Sequence, residues 1–133
     1  MFLAGVFAAF AAIDFIQQCP IPVYTIVEGA TASAGTIMSV VGKKRFIRPH
    51  ASMLIHQLSS WFGGKLTQID DEYQNLKQMH QQIIDIYEKH AKIQGEELES
   101  LLKHDLWLTA EKCVEHGLVD EPWAEAALAP SKL

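Results

Sequence analysis

Residues 23–42 read VYTIVEGATASAGTIMSVVG, and this stretch decides the fold. Val23 to Val27 is a short β-branched and aromatic run, the composition of a buried strand, and Gly29 closes it. Ser33 to Val41 carries small and apolar residues without proline, which predicts a helix, and Gly42 stands where a C-cap falls. Between them, Glu28 to Gly35 is a passage of small residues from strand to helix. Alternation of strands and helices along the chain means an α/β protein with a largely parallel sheet.

Working outward, residues 5–17 are rich in helix formers and end before Pro20 and Pro22. The first 16 residues are the most apolar of the chain. They lack a basic leader, are interrupted by Asp14, and fall short of the roughly 20 residues of a membrane span, so they predict a buried amphipathic helix. Downstream, Arg45 to Ile47 reads as a short strand before Pro49. Met53 to His56 reads as another, its Met53-Leu54-Ile55 run suited to burial on both faces. Ser59 to Gly64 holds turn formers around Trp61-Phe62. The strongest periodicity runs over about 66–93, with Leu66, Ile69, Tyr73, Leu76, Ile83 and Tyr87 on one stripe. That predicts a helix of about 28 residues, roughly 42 Å long, which projects and meets another helix. Gly95 ends it. Glu96 to Lys103 is expected as a short helix, Asp105 to Leu108 as an extended segment, and Thr109 as the N-cap of a helix that ends at Gly117. Leu118-Val119 starts a last strand, and the Ala-rich tail from Ala124 is expected to fray. The chain shows no repeat or linker, and residues 1–133 are expected to form a single domain. Three or four strands are few for so many helices, which predicts that N-terminal strands of the fold are missing.

Composition narrows the function. A net charge of -5 with scattered Lys and Arg excludes a nucleic-acid binder. The cluster Lys43-Lys44-Arg45 reads as a solvated turn. Cys19 and Cys113 fit neither a zinc site nor a disulfide framework, which points to unpaired thiols in a reducing, cytoplasmic compartment. Neither a membrane span nor a cofactor site is expected.

Three residues carry candidate chemistry. Ser33 lies where a helix N-terminus presents free N–H groups and a positive dipole end, a suitable place for an oxyanion, and a serine there attacks a carbonyl once a base removes its proton. On local sequence alone, a plain helix cap is the more common reading. His56 ends an apolar run, and a lone histidine there is more often a hydrogen-bonded core residue. Asp105, in His104-Asp105-Leu106-Trp107-Leu108, reads by itself more readily as a turn or cap aspartate, so none of the three is persuasive singly.

Taken together, the passages resemble the Clp protease proteolytic subunit family (ClpP). Val23 to Ser33, with Gly29 four before the serine, looks like its nucleophile strand and turn. Lys43-Lys44-Arg45-Phe46 and Arg48-Pro49-His50 look like the segments that follow. Met53-Leu54-Ile55-His56-Gln57 looks like its histidine motif. Asp105-Leu106-Trp107-Leu108-Thr109-Ala110 through Glu115-His116-Gly117-Leu118-Val119-Asp120 looks like its ending. The resemblance covers roughly three quarters of the chain. It implies a ClpP/crotonase-like α/β fold with a largely parallel sheet flanked by helices and a projecting handle helix over about 66–93. It implies Ser33 as nucleophile, His56 as general base and Asp105 as its orienting partner. The N–H of Ala34 becomes an oxyanion donor, and Gly63-Gly64 belong to a substrate-binding strand. The implied activity is ATP-dependent serine endopeptidase action on unfolded polypeptide. The implied partners are further copies in rings, heptameric or double heptameric, and an ATP-dependent unfoldase. Asp120 is expected to be structural and His116 to serve packing.

One departure stands out. The family's Pro-Gly-Gly element, which supplies a second oxyanion donor, aligns with Phe2-Leu3-Ala4, where glycines are absent. Losing one such donor costs about 10²–10³ in rate. A weak or inactive structural subunit is therefore the alternative. An acyl-CoA enzyme of the crotonase type is less well matched, since those work without a Ser-His pair. A Ser-Lys peptidase fits poorly because Lys43 and Lys44 follow Ser33 too closely.

Overall fold

A computed structural model describes residues 3–123. The calls at Phe2 and on the tail from Ala124 lie outside the described residues. The elements run α1 (Leu3–Gln18), β1 (Tyr24–Val27), β2 (Ala30–Ala32), α2 (Ala34–Val40), β3 (Lys44–Ile47), β4 (Ser52–Leu54), α3 (Leu66–His90), α4 (Gly95–Leu102), β5 (Leu108–Thr109), α5 (Ala110–Glu115) and β6 (Glu121–Pro122). The described residues hold six strands, more than the three or four expected, in two three-stranded sheets ordered β1-β3-β6 and β2-β4-β5. Every pairing is parallel except that of β4 with β5.

The strand absent from the sequence reading is β2. Ala30-Thr31-Ala32 lacks a β-branched or aromatic run, and it becomes a strand through pairing Ala30 to Ser52 and Ala32 to Leu54 of β4. Three further boundaries moved. β4 ends at Leu54, so His56 lies beyond it. β5 is Leu108–Thr109, so Asp105 precedes it in a loop. The last strand is Glu121–Pro122, while Leu118 and Val119 are fully buried in the preceding turn. Gly42 does not close α2 through a left-handed conformation. The cap is Val41, and a Cβ at Gly42 would meet Thr25 Oγ1 at 2.6 Å, so glycine is needed there for close approach.

α1 buries Val6, Ala9 and Ile13 at helical spacing, yet leaves Phe7 and Phe15 exposed, so it is apolar on both faces and not amphipathic. α2 lies between α1 and α3. Its buried Ile37 and Val40 meet Ile83 and Tyr87 in one core with Ile47, Met53, Leu98 and Leu118. Each such side chain contributes about 1.5–3 kcal/mol by leaving water. α3 is divided. Met79, Ile83 and Tyr87 in its C-terminal half are buried, whereas Leu66, Ile69 and Tyr73 in its first two turns are 82%, 38% and 53% exposed. The helix ends at His90, three residues short of the expected boundary. There the chain turns to let both Lys92 and Ile93 donate to the carbonyl of His116.

The basic cluster is not simply a solvated turn. The Arg45 guanidinium is 11% exposed and grips Asp120 from two nitrogens, Nη2 to Oδ1 at 2.7 Å and Nε to Oδ2 at 3.3 Å. Its Nη1 donates to the carbonyl of His90 at 2.6 Å, placing a cation on the C-terminal end of α3. The hydrogen bonds from Arg45 hold the Asp120 carboxyl below its usual pKa. Lys44 does stay exposed, paired with Glu121 at 2.8 Å. Arg45, gripping Asp120 on one side and the His90 carbonyl on the other, thus ties β3, α3 and the approach to β6 together.

Candidate active site

β2 and β4 are parallel neighbours, so Ser33 and His56 follow the carboxyl ends of adjacent strands, where α/β proteins place their ligands. Ser33 is anchored there by its N–H, which donates to the carbonyl of Leu54 at 3.1 Å. It is the sole non-glycine residue with positive φ among the described residues, at φ 60 and ψ -125. Such a conformation costs about 1–3 kcal/mol and recurs where function uses it. A serine on a strained strand-to-helix turn is how several hydrolases expose a nucleophilic hydroxyl. The side chain does not cap α2. Capping is done from the other direction: the Ser33 carbonyl accepts from the N–H of Thr36 at 3.0 Å and from its hydroxyl at 2.5 Å. Ala34 is the first residue of α2, so its N–H has no carbonyl one turn back to donate to.

His56 is half-buried. The N–H of Gln57 donates to the carbonyl of Leu102 at 2.8 Å, which draws the end of α4, and with it the loop carrying Asp105, to the end of β4. His56 Nδ1 lies 3.9 Å from Asp105 Oδ1, ion-pair range but longer than a hydrogen bond. The Asp105 side chain is 83% exposed. Burial lowers the His56 pKa below the usual 6.5, and the Asp105 charge partly offsets that. Gly63 and Gly64 are exposed, in a stretch with neither helix nor strand that ends where Gln68 Oε1 accepts from the N–H of Lys65 at the start of α3. The structure therefore brings His56 and Asp105 side by side, sets Ser33 at the neighbouring strand end, and leaves Gly63-Gly64 on the open approach to α3.

The sequence profile of the Clp proteases matches residues 4–125. The chain belongs to the Clp protease family. It is 33% identical over 117 residues to the ATP-dependent Clp protease proteolytic subunit 1 of Chlamydia muridarum, covering 85% of this chain and 61% of that protein. The counterpart from Chlamydia caviae is 31% identical with the same coverage. The ATP-dependent Clp protease proteolytic subunit of Deinococcus radiodurans is 28% identical over 118 residues, 87% of this chain and 58% of that protein. The chain thus spans about three fifths of these relatives' length. As in the family's fold, this Clp protease chain is mixed α/β with a long helix, α3. At the departure noted above, the backbone of Leu3 and Ala4 is already helical, within α1.

Sequence reasoning passed over two residues beside Ser33. Thr36 looked like an ordinary helix residue, and Tyr87 looked like one slot of an apolar stripe. The polar atoms of both are buried together behind the Ser33 turn. A buried tyrosine needs a partner for its hydroxyl, which was the available signal.

Among the described residues, no group of three or more His, Cys, Asp or Glu is arranged to hold a metal ion, and no helix is long and apolar enough to cross a membrane.

Proposed function

We propose that this Clp protease chain is a serine endopeptidase subunit that cleaves unfolded polypeptide through Ser33, His56 and Asp105, working in rings fed by an ATP-dependent unfoldase. The observation that carries the reading is the strained, non-capping Ser33 placed one strand from the His56–Asp105 pair. His56 Nδ1 faces Asp105, which leaves Nε2 for the serine. Nε2 takes the hydroxyl proton as Ser33 Oγ bonds to the scissile carbonyl carbon, and the carbonyl π pair moves to oxygen. The N–H of Ala34 donates to that oxyanion. Collapse breaks the C–N bond, and the imidazolium proton goes to the departing amine. Water then repeats the sequence on the acyl-enzyme, releasing the acid and returning the proton to Ser33. Catalytic hydrogen bonds of this kind often tighten only with substrate bound. The unpaired stretch through Gly63-Gly64 is suited to pair with an extended peptide backbone.

A fluorophosphonate probe is the direct test. Wild type is expected to gain one adduct, located on Ser33 by peptide mass spectrometry; an adduct elsewhere, or equal labelling of Ser33→Ala, sinks the assignment. A second reading, a weak subunit with a structural role, draws on the exposure of Asp105 and its 3.9 Å distance from the imidazole, which leave their pairing screened by water. That reading predicts a folded wild type without an adduct.

The pH profile follows from His56. General-base action needs the neutral imidazole, and burial lowers its pKa, so activity should climb with pH through an inflection below 6.5. Asp105→Asn removes the charge that raises this pKa, so the inflection should move lower still while the rate falls. A wild-type inflection above 7 in kcat/KM contradicts the assignment.

For assembly, the exposed Leu66 and Tyr73 at the free end of α3 are the proposed contact with a second copy. Leu66→Glu with Tyr73→Glu should lower the particle mass by light scattering while leaving the far-ultraviolet spectrum unchanged. An unchanged mass would remove this contact.

A further inference from the structure

Behind the Ser33 turn lies a short chain of hydrogen bonds with a fixed direction. Tyr87, on α3, and Thr36, on α2, are 1% and 0% exposed. The Tyr87 hydroxyl lies 2.5 Å from Thr36 Oγ1, and Thr36 Oγ1 lies 2.5 Å from the Ser33 carbonyl oxygen. A carbonyl only accepts, so Thr36 spends its single hydroxyl proton on Ser33. Tyr87 must then donate to Thr36. Burial pushes the Tyr87 pKa up, which keeps that proton in place. The order is Tyr87 to Thr36 to the carbonyl of Ser33.

That carbonyl shares a peptide plane with the N–H of Ala34. In a trans peptide the two point in opposite directions, and the structure has no cis peptide bond among the described residues. Pinning the oxygen inward therefore aims the N–H outward, past the Ser33 turn. Each donor on the oxygen also polarises the amide, which makes its N–H a stronger donor. The N–H of Thr36 already holds this carbonyl at 3.0 Å, and the hydroxyl is a second donor that narrows the plane's freedom at a turn strained at Ser33.

We infer that Thr36 and Tyr87 are positioning residues that aim and strengthen the Ala34 N–H as the oxyanion donor. The inference rests on the serine-peptidase reading above. Neither residue touches substrate, so their effect is on turnover and not on binding. Thr36→Val removes the hydroxyl at nearly constant shape, Tyr87→Phe removes one oxygen, and Thr36→Ser keeps the hydroxyl.

The experiment titrates active sites of the full chain with a fluorophosphonate, then measures kcat per titrated site and KM on a short fluorogenic peptide amide. Thr36→Val and Tyr87→Phe are expected to lower kcat per site roughly 10- to 100-fold, below the ~10²–10³ of losing a donor outright, with KM within about twofold. Thr36→Ser should return kcat toward wild type. A loss of titratable sites with unchanged kcat per site means a merely structural role and overturns the inference. So does a wild-type kcat in both Thr36→Val and Tyr87→Phe, an outcome that leaves Ser33's role standing. A wild type that neither labels nor hydrolyses removes Ser33's role, and this inference falls with it. Should Thr36→Val fail to fold, Tyr87→Phe with Thr36→Ser decides the matter alone.

Discussion

Ser33→Ala should lower peptide hydrolysis by about 10⁶-fold, the scale at which serine nucleophiles are lost in comparable triads. The residue does three things at once. Its N–H holds the turn to β4, its carbonyl accepts from Thr36, and its hydroxyl, which does not cap α2, is the proposed nucleophile. Alanine keeps the first two and removes only the third. The substituted chain should therefore fold like wild type, apart from the positive φ that both residues bear at similar cost. His56→Ala should cost nearly as much, and the double variant no more than either single one, because in the proposed mechanism the two side chains act as a unit. Hydrolysis by Ser33→Ala within tenfold of wild type would overturn the proposed mechanism, whatever the labelling result.

The largest effect on stability is expected away from the site, at Gly117→Ala. Gly117 has φ 67, and a Cβ there would fall 2.7 Å from the backbone nitrogen of Lys92 and 2.5 Å from its Cγ. The obstacle cannot step aside. Lys92 and Ile93 both donate to the carbonyl of His116 at 3.0 Å, and Leu118 next door is fully buried. Left-handed strain and overpacking together predict a loss of roughly 2–5 kcal/mol, seen as a fall of about 10 °C or more in Tm. Gly95→Ala is the control. Its φ of 53 carries the same handedness, but nothing lies within 4 Å of the new methyl, so the cost should stay near 1–2 kcal/mol. Equal melting temperatures for the two variants would refute the argument from close approach.

The long helix was legible because periodicity survives any tertiary context. Leu66 through Tyr87 keep one stripe, and α3 follows it to within three residues of the expected end. Thr109 was legible as a cap for the same local reason, and its hydroxyl does accept from the N–H of Lys112. What stayed hidden was decided by partners distant in sequence. Ala30-Thr31-Ala32 has no strand signal of its own and takes its form from β4. The Arg45 side chain has the composition of a surface turn and is drawn inward by Asp120 and the end of α3. At the candidate site, family likeness nominated the three residues, while the positive φ of Ser33 and the exposure of Asp105 follow from packing that periodicity does not encode. The hydroxyls of Thr36 and Tyr87 meet across 51 residues, which no local pattern records.

The grip of Arg45 on Asp120 has a kinetic side. It closes a loop of 75 residues, whereas β1 meets β3 and β2 meets β4 across much shorter spans. Closing a longer loop costs more chain entropy, and contacts of long separation tend to form late. The strand ends that carry Ser33 and His56 can thus meet before the C-terminal third docks. Asp105 travels with that third. Under the proposed mechanism, a chain whose C-terminal third has not yet docked lacks the Asp105 partner of His56, so its proposed nucleophile, Ser33, is not yet armed.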